Sequence, residues 1–360
     1  MPPAARLLAV PLVVFLVACT SAAPTRPNSA TPAATRSPAP STAVPTGQPA
    51  QTPPMRLAVR HAYTAISTTH APYYIAEAAG YFAEEGLDMQ ITYISGSSTA
   101  MQALVAGELD SLNATGGAAV QARTRGSDLT IYANTVGTLF TQFITAPDIT
   151  QPAQLRGQPV GIVRFGTISD FTARLFLKGW GYEPGTDVPL LQLGGQSQIV
   201  GALQSGQVRA VVLPDVQAIE VKRLGYRELA DAADLGREYV GQGLILRERT
   251  AADNPELLRR LLRALARGMG RFLNDREFSV SVIQQRVGID AREVVEESWE
   301  LHAQRYANRS LLTTPEAVRT VLEELADDPA VRNATPESFY DNRFVQELRD
   351  SGFLARAYGS

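Results

Sequence analysis

Residues 56–94 read RLAVRHAYTAISTTHAPYYIAEAAGYFAEEGLDMQITYI, and the fold class turns on this stretch. Arg56–Ala62 has the composition of a strand. Pro72–Glu85 reads as a helix, with proline near its start and Gly86 just past its end. Leu87–Ile94 is a second strand, alternating through Met89, Ile91 and Tyr93. Strand, helix and strand within 39 residues point to an α/β sheet rather than a β-sandwich.

The same alternation continues outward. Thr99–Ala106 is a short helix stopped at Gly107, Ser111–Leu112 a brief strand, Ala118–Thr124 a helix and Leu129–Asn134 a strand. The unit then repeats: strands at Pro159–Val163, Val188–Leu193 and Val208–Leu213 alternate with helices at Ile168–Lys178, Gln198–Gln204 and Val216–Arg223. Val240–Leu246 returns as an extended segment. Beyond Thr250 the pattern is wholly helical, and Pro255–Leu273 carries Leu257, Leu258, Leu261, Leu265, Met269 and Phe272 at helical spacing. Further helices are expected at Phe278–Arg286, Ala291–Tyr306 and Pro315–Leu325. Two α/β lobes are the simplest topology, residues 55–145 with 247–360 forming the first and 146–246 the second, with a ligand cleft between them.

Composition removes whole classes of function. Of 360 residues, 33 are basic and 36 acidic, a net charge of −3, with no excess of cations for a polyphosphate partner. The single cysteine, Cys19, lies outside the globular part, which excludes multi-cysteine metal sites, iron–sulfur clusters and a cysteine nucleophile in the fold. Three histidines (His61, His70 and His302) are too few for a polyhistidine metal site. No metal and no cofactor is expected.

The N-terminus reads as an address. Residues 1–18 form a signal peptide: Arg6 precedes an apolar run from Leu7 to Ala18, shorter than the about 20 residues that span a bilayer. Leu16-Val17-Ala18-Cys19 resembles the bacterial lipobox, which makes Cys19 the lipidated residue; a plain secretory signal is the alternative. Residues 19–54 read as a tether, because 28 of the 35 positions after Cys19 are Pro, Ala, Thr or Ser, too polar and too proline-rich to pack a core. Localisation at the extracytoplasmic face of the cell membrane follows, held by lipid only.

Several segments carry a family likeness: Ala71–Phe82 (APYYIAEAAGYF), Glu85–Asp88 (EGLD), Leu104–Asp110 (LVAGELD), Leu155–Gly161 (LRGQPVG) and Leu203–Ala210 (LQSGQVRA). In this order and spacing they resemble the periplasmic solute-binding proteins of ABC importers, in the branch of nitrate, sulfonate, taurine and thiamine-pyrimidine binders. The likeness covers most of residues 55–355. It implies a two-lobe periplasmic-binding-protein fold, type II-like, with a hinge of two crossover segments and C-terminal helices. It further implies a monomer that closes on a small molecule and delivers it to a permease and its ATPase. The crossovers are expected near Thr141–Ala146 and Val240–Leu246.

In such a fold, ligand meets loops that lead into helix N-termini, where free N–H groups and the positive dipole end suit oxygens. Ser95–Thr99, Asn113–Gly117 and Phe165–Thr167 have that form, and the last resembles the family's Gly-Thr ligand loop. The candidate ligand-binding residues are Tyr63, Thr68, His70, Thr99, Asn113, Gly116, Gly117, Phe140, Phe165, Gly166, Thr167, Asp170 and Asp215. Ordinary capping and turn roles remain open for the Ser, Thr, Asn and Gly positions, and a structural role remains open for each acid. If Asp170 and Asp215 face the cleft they disfavour nitrate or sulfonate and favour a neutral heterocycle, on which Tyr63, Phe140 and Phe165 can stack. No lysine is expected there, Lys178 and Lys222 lying near helix ends. Riboflavin is the first expectation and a thiamine-type pyrimidine the second; a sulfonate, taurine or nitrate receptor is the alternative. The pyrimidine-synthesising enzyme of the same fold depends on a cysteine-rich motif absent here, no Gly-x-Ser-x-Gly hydrolase elbow is present, and the chain is read as a non-enzyme. A sensing partner in place of a permease stays open.

Overall fold

A computed structural model describes residues 56–326 and 328–359; the expected signal peptide, lipidated Cys19 and tether lie outside the described residues. Among the described residues ten strands form two five-stranded sheets. The first contains β1 (Leu57–Tyr63), β2 (Leu87–Tyr93), β3 (Ser111–Ala114), β4 (Leu129–Thr138) and β10 (Glu238–Arg247), in the order β2-β1-β3-β10-β4. The second contains β5 (Thr141–Thr145), β6 (Val160–Ile162), β7 (Leu190–Gln192), β8 (Ala210–Pro214) and β9 (Arg227–Asp231), in the order β7-β6-β8-β5-β9. In each sheet three parallel strands joined through helices are followed by one reversed strand, β10 or β5, and then by a fifth, β4 or β9, antiparallel to it. The α/β expectation and its internal repeat are therefore met, with β9 an additional strand and β5 a strand where a crossover was expected.

The boundary between the lobes differs from the expected one. Thr141–Thr145 is not a crossover but a fully buried strand of the second sheet, paired with β8 and β9. Val240–Leu246 is the middle of β10, paired with β3 and β4 in the first sheet. The chain passes between sheets at Leu139–Phe140 and again between the turn at Ala232–Leu235 and β10. Thr141–Thr145 (TQFIT) mixes polar and apolar residues and Val240–Leu246 (VGQGLIL) carries two glycines, so nothing local in them tells a sheet interior from a hinge.

Helix ends follow local chemistry. The expected Pro72–Glu85 helix is two pieces, Ala71–Ala78 and Tyr81–Glu84, because Gly80 takes a left-handed φ of 76° between them. The long Pro255–Asn274 helix begins as its sequence demands: Asn254 caps the Leu257 N–H and Pro255 occupies the first turn. Its apolar stripe packs on the Ala71–Ala78 helix, and Gly268 lets the two backbones meet, since a Cβ there would collide with the Pro72 carbonyl. The Ala291–Tyr306 helix ends at Leu301 and continues as a π-turn, His302–Tyr306, which turns both end residues inward. Helices at Arg343–Asp350 and Phe353–Tyr358 complete the chain. Among the described residues no helix is long and apolar enough to cross a membrane.

Candidate functional site

Five helices begin at the seam between the sheets. Ser97–Ala106 and Gly116–Thr124 belong to the first lobe; Ile168–Gly179, Gln196–Gln204 and Asp215–Arg223 belong to the second. The residues preceding them (Gly96, Thr115, Thr167, Gly195 and Pro214) provide no side-chain cap. First-turn N–H groups from both lobes are thus left for another acceptor. The sequence folds this way because the parallel strands deliver their C-terminal ends into the next helix, through a Gly, Ser or Thr turn in four cases and directly at Pro214 in the fifth.

Between these ends, at the interface of the two lobes, lies a cavity, in a position where small-molecule sites commonly form. The first lobe contributes Thr64, Ala65, Tyr93, Ser95–Ser97, Thr115 and Gln242; the second contributes Val163, Thr167–Ser169, Gln196, Val212 and Pro214, with Phe140 and Thr141 at the crossing. None of these residues carries a charge. Hydroxyls are held in fixed pairs, such as Thr167 with Ser169 at 2.9 Å and Thr141 with Thr172 at 2.7 Å. Gln242, 1% exposed, is held only by a long bond from its Nε2 to Thr69 Oγ1 (3.4 Å), and its Oε1 has no protein partner.

The cleft is closed by bonds across it. Gln196 Oε1 accepts from the Ile66 N–H at 3.1 Å, Gln217 Nε2 donates to the Ile66 carbonyl at 2.9 Å, and Ser95 Oγ donates to the Gly194 carbonyl at 3.0 Å. Asp215, fully buried, accepts from Ser67 Oγ at 2.9 Å and Ser298 Oγ at 2.6 Å, and Thr68 Oγ1 lies 2.6 Å from the same Ser298 hydroxyl. Burial raises the Asp215 pKa against the opposing hydroxyl and backbone bonds. Phe171 stacks on Tyr239 across the lobes with ring centroids 5.0 Å apart.

The candidate residues divide accordingly. Phe140 and Thr167 line the inner cavity, and Gly117, Gly166, Thr167 and Asp170 line an adjoining recess. Asp170 is already engaged: it accepts from the Gly166 N–H at 2.9 Å and from Arg174 Nε at 2.7 Å, stapling its own loop. Thr68 and Asp215 belong to the buried bonds just described. His70 is buried and holds Asn113 Nδ2 at 2.9 Å, both within the first lobe. Tyr63 packs among the rings of His70, Tyr74 and Tyr93, so Tyr93 rather than Tyr63 reaches the cavity. Thr99 is on the exposed side of its helix, and Phe165, 46% exposed, lies at the rim under the Arg174 guanidinium. Lys178, set aside at sequence level, lines the recess. Gln242 was missed because a mid-strand glutamine carries no loop or cap signal, as were Tyr93 and Gln196.

Gly116 has a packing role, since a Cβ there would overlap the Val240 side chain. Gly116→Ala is therefore expected to lose about 1–3 kcal/mol by overpacking, despite the gain of up to about 1 kcal/mol in helix propensity. A chemical-denaturation midpoint at or above the parent's would show that the helix moves aside freely.

Fold and site define a two-lobed solute-binding protein of the type that serves ABC importers. Residues 67–277 match the NMT1/THI5-like family, and the chain belongs to that family. It is 27% identical over 287 residues to the riboflavin-binding protein RibY of Chloroflexus aurantiacus, covering 76% of each chain. Its fold is that of the periplasmic nitrate-binding protein NrtA of Synechocystis PCC 6803 (TM-score 0.67, 14% identity, 82% of this chain and 89% of that one). It is also that of the aliphatic sulphonate-binding protein SsuA of Escherichia coli (TM-score 0.64, 17% identity, 78% and 90%).

Proposed function

We propose that this chain is the extracytoplasmic receptor of an ABC importer and that it captures a neutral, flat, acceptor-rich heterocycle, riboflavin first and a thiamine-type pyrimidine second. The observation that carries this reading is the inner cavity itself: apolar walls at Phe140, Val163, Ile168 and Val212, no charged side chain, and N–H donors from five helix starts. Ring carbonyls and nitrogens suit such donors without a net charge that would lack a counter-ion in a dry cleft. The likeness to RibY supports the same choice. Asp170 and Asp215 do not carry this preference, because both carboxylates are occupied by protein partners. Binding rather than catalysis is the reading, with a permease and its ATPase as partners, a monomeric receptor, and Cys19 as the lipid anchor.

A sulfonate or nitrate is the second reading, favoured by the same helix starts. Fluorescence titration of the purified chain with riboflavin, a thiamine pyrimidine, taurine and nitrate decides between them. Saturable binding of riboflavin at micromolar or lower concentration is expected; binding of taurine or nitrate with silence toward both heterocycles would overturn the proposal. Gln242→Leu is expected to weaken riboflavin binding about tenfold, by removing one buried hydrogen-bonding group. Unchanged affinity in that variant would place Gln242 outside the contact set.

A further inference from the structure

The inner cavity does not end at Thr115 and Thr167. Those two residues also form the lip of a second, open recess of about 270 Å³ on one side of the cleft. The chemistry changes at that lip. The recess is walled by Gln121, Asp170, Arg174, Lys178, Tyr239 and Asp328. Two cations and two carboxylates cancel there, and one pair is already formed, Arg174 Nε to Asp170 Oδ1 at 2.7 Å. The stacked rings of Phe171 and Tyr239 lie along the same recess.

We infer that the ligand is bipartite: a flat apolar ring in the inner cavity, and a flexible polyhydroxylated tail running past Thr115 and Thr167 into the outer recess. This rests on the heterocycle reading above and specifies the class of ligand within it. A hydroxyl both donates and accepts, so a row of them matches an amide, an ion pair and threonine hydroxyls at close quarters. A phosphorylated tail fits less well, because the recess holds no excess of cations to balance its charge. Gln121 is the residue that commits the recess to a tail: its carboxamide stands over Gly166, whose φ of 75° and missing Cβ leave the amide its place.

The test compares three probes on the purified full chain: riboflavin, the ring without its side chain (lumichrome), and the 5′-phosphate of riboflavin. Riboflavin is expected to bind at least about tenfold more tightly than lumichrome, the worth of one to two good hydrogen bonds, and more tightly than the phosphate. In Gln121→Ala the ratio of riboflavin to lumichrome affinity is expected to fall toward one, with the thermal midpoint reporting that the variant is folded. Equal affinity for riboflavin and lumichrome in the parent chain overturns the tail subsite and leaves the ring reading standing. Tighter binding of the phosphate overturns it in favour of an anion site. Failure of all three probes overturns the heterocycle reading, and the subsite with it.

Discussion

Between pH 7 and pH 5 the protein is expected to lose several kcal/mol of folding stability, enough to bring it close to unfolding. All three histidines of the chain are fully buried, and burial drives each pKa down to about 3 from 6.5; for His70 the neighbouring His61 and His302 add to the effect. Each ring is fixed by its surroundings: His61 by Ser111 and the face of Tyr73, His70 by Asn113 and the tyrosines at 63 and 74, His302 by Phe272 and Tyr306. Below pH 6.5 the unfolded chain binds protons that the folded chain refuses. Stability is then complete above 6.5 and falls as the pH drops toward 3, by up to about 1.4 kcal/mol per pH unit for each histidine. Asp215, with its pKa raised, works in the opposite direction and offsets only part of this. Against a net stability of about 5–15 kcal/mol, three such groups dominate. Urea unfolding at pH 7, 6 and 5 measures the effect, and His302→Phe should flatten the slope by about a third. A midpoint that stays constant from pH 7 to pH 5 would falsify the account.

What was legible in the sequence is what is locally encoded. Gly107 ends its helix in the left-handed region, with the carbonyls of Ala103 and Leu104 accepting from its N–H, as an apolar run followed by glycine predicts. The Pro255–Asn274 stripe buries the leucines that its spacing selected. The loops that lead into the cleft helices were legible too, since Gly, Ser and Thr before a helical pattern mark a helix start wherever it is used. Two things were not. Strands β5 and β10 are buried on both faces, and their sheet membership is set by partners more than 60 residues away. The facing direction of a polar group was equally hidden: Asp215 and His70 are buried polar residues beside the cleft, and the partners they hold are Ser67, Ser298 and Asn113 of the same chain. A sequence shows that such a group needs a partner but not on which side of the wall it finds one.

Asp215 is consequently expected to act on ligand affinity through closure. Its helix belongs to the second lobe, Ser67 and Thr68 to the first, and Ser298 to the C-terminal helix that packs on both. Closing the lobes takes the carboxylate out of water and returns two hydroxyl bonds; opening separates it from Ser67. Alanine at 215 leaves the Ser67 and Ser298 hydroxyls buried without their acceptor in the closed form only, a cost of about 1–3 kcal/mol. Ligand selects the closed form, so that cost appears as a loss in affinity of roughly tenfold to a hundredfold. Asp215→Asn keeps the shape and one acceptor oxygen, and should lose less. The loss is expected in the dissociation rate, because the bonds form after encounter. Stopped-flow dissociation of riboflavin reads this directly, while small-angle scattering of the ligand-free variants reports closure whatever the ligand. Unchanged dissociation together with an unchanged radius of gyration in Asp215→Ala would reduce these bonds to passive packing, leaving Gln196, Gln217 and Ser95 to hold the lobes together.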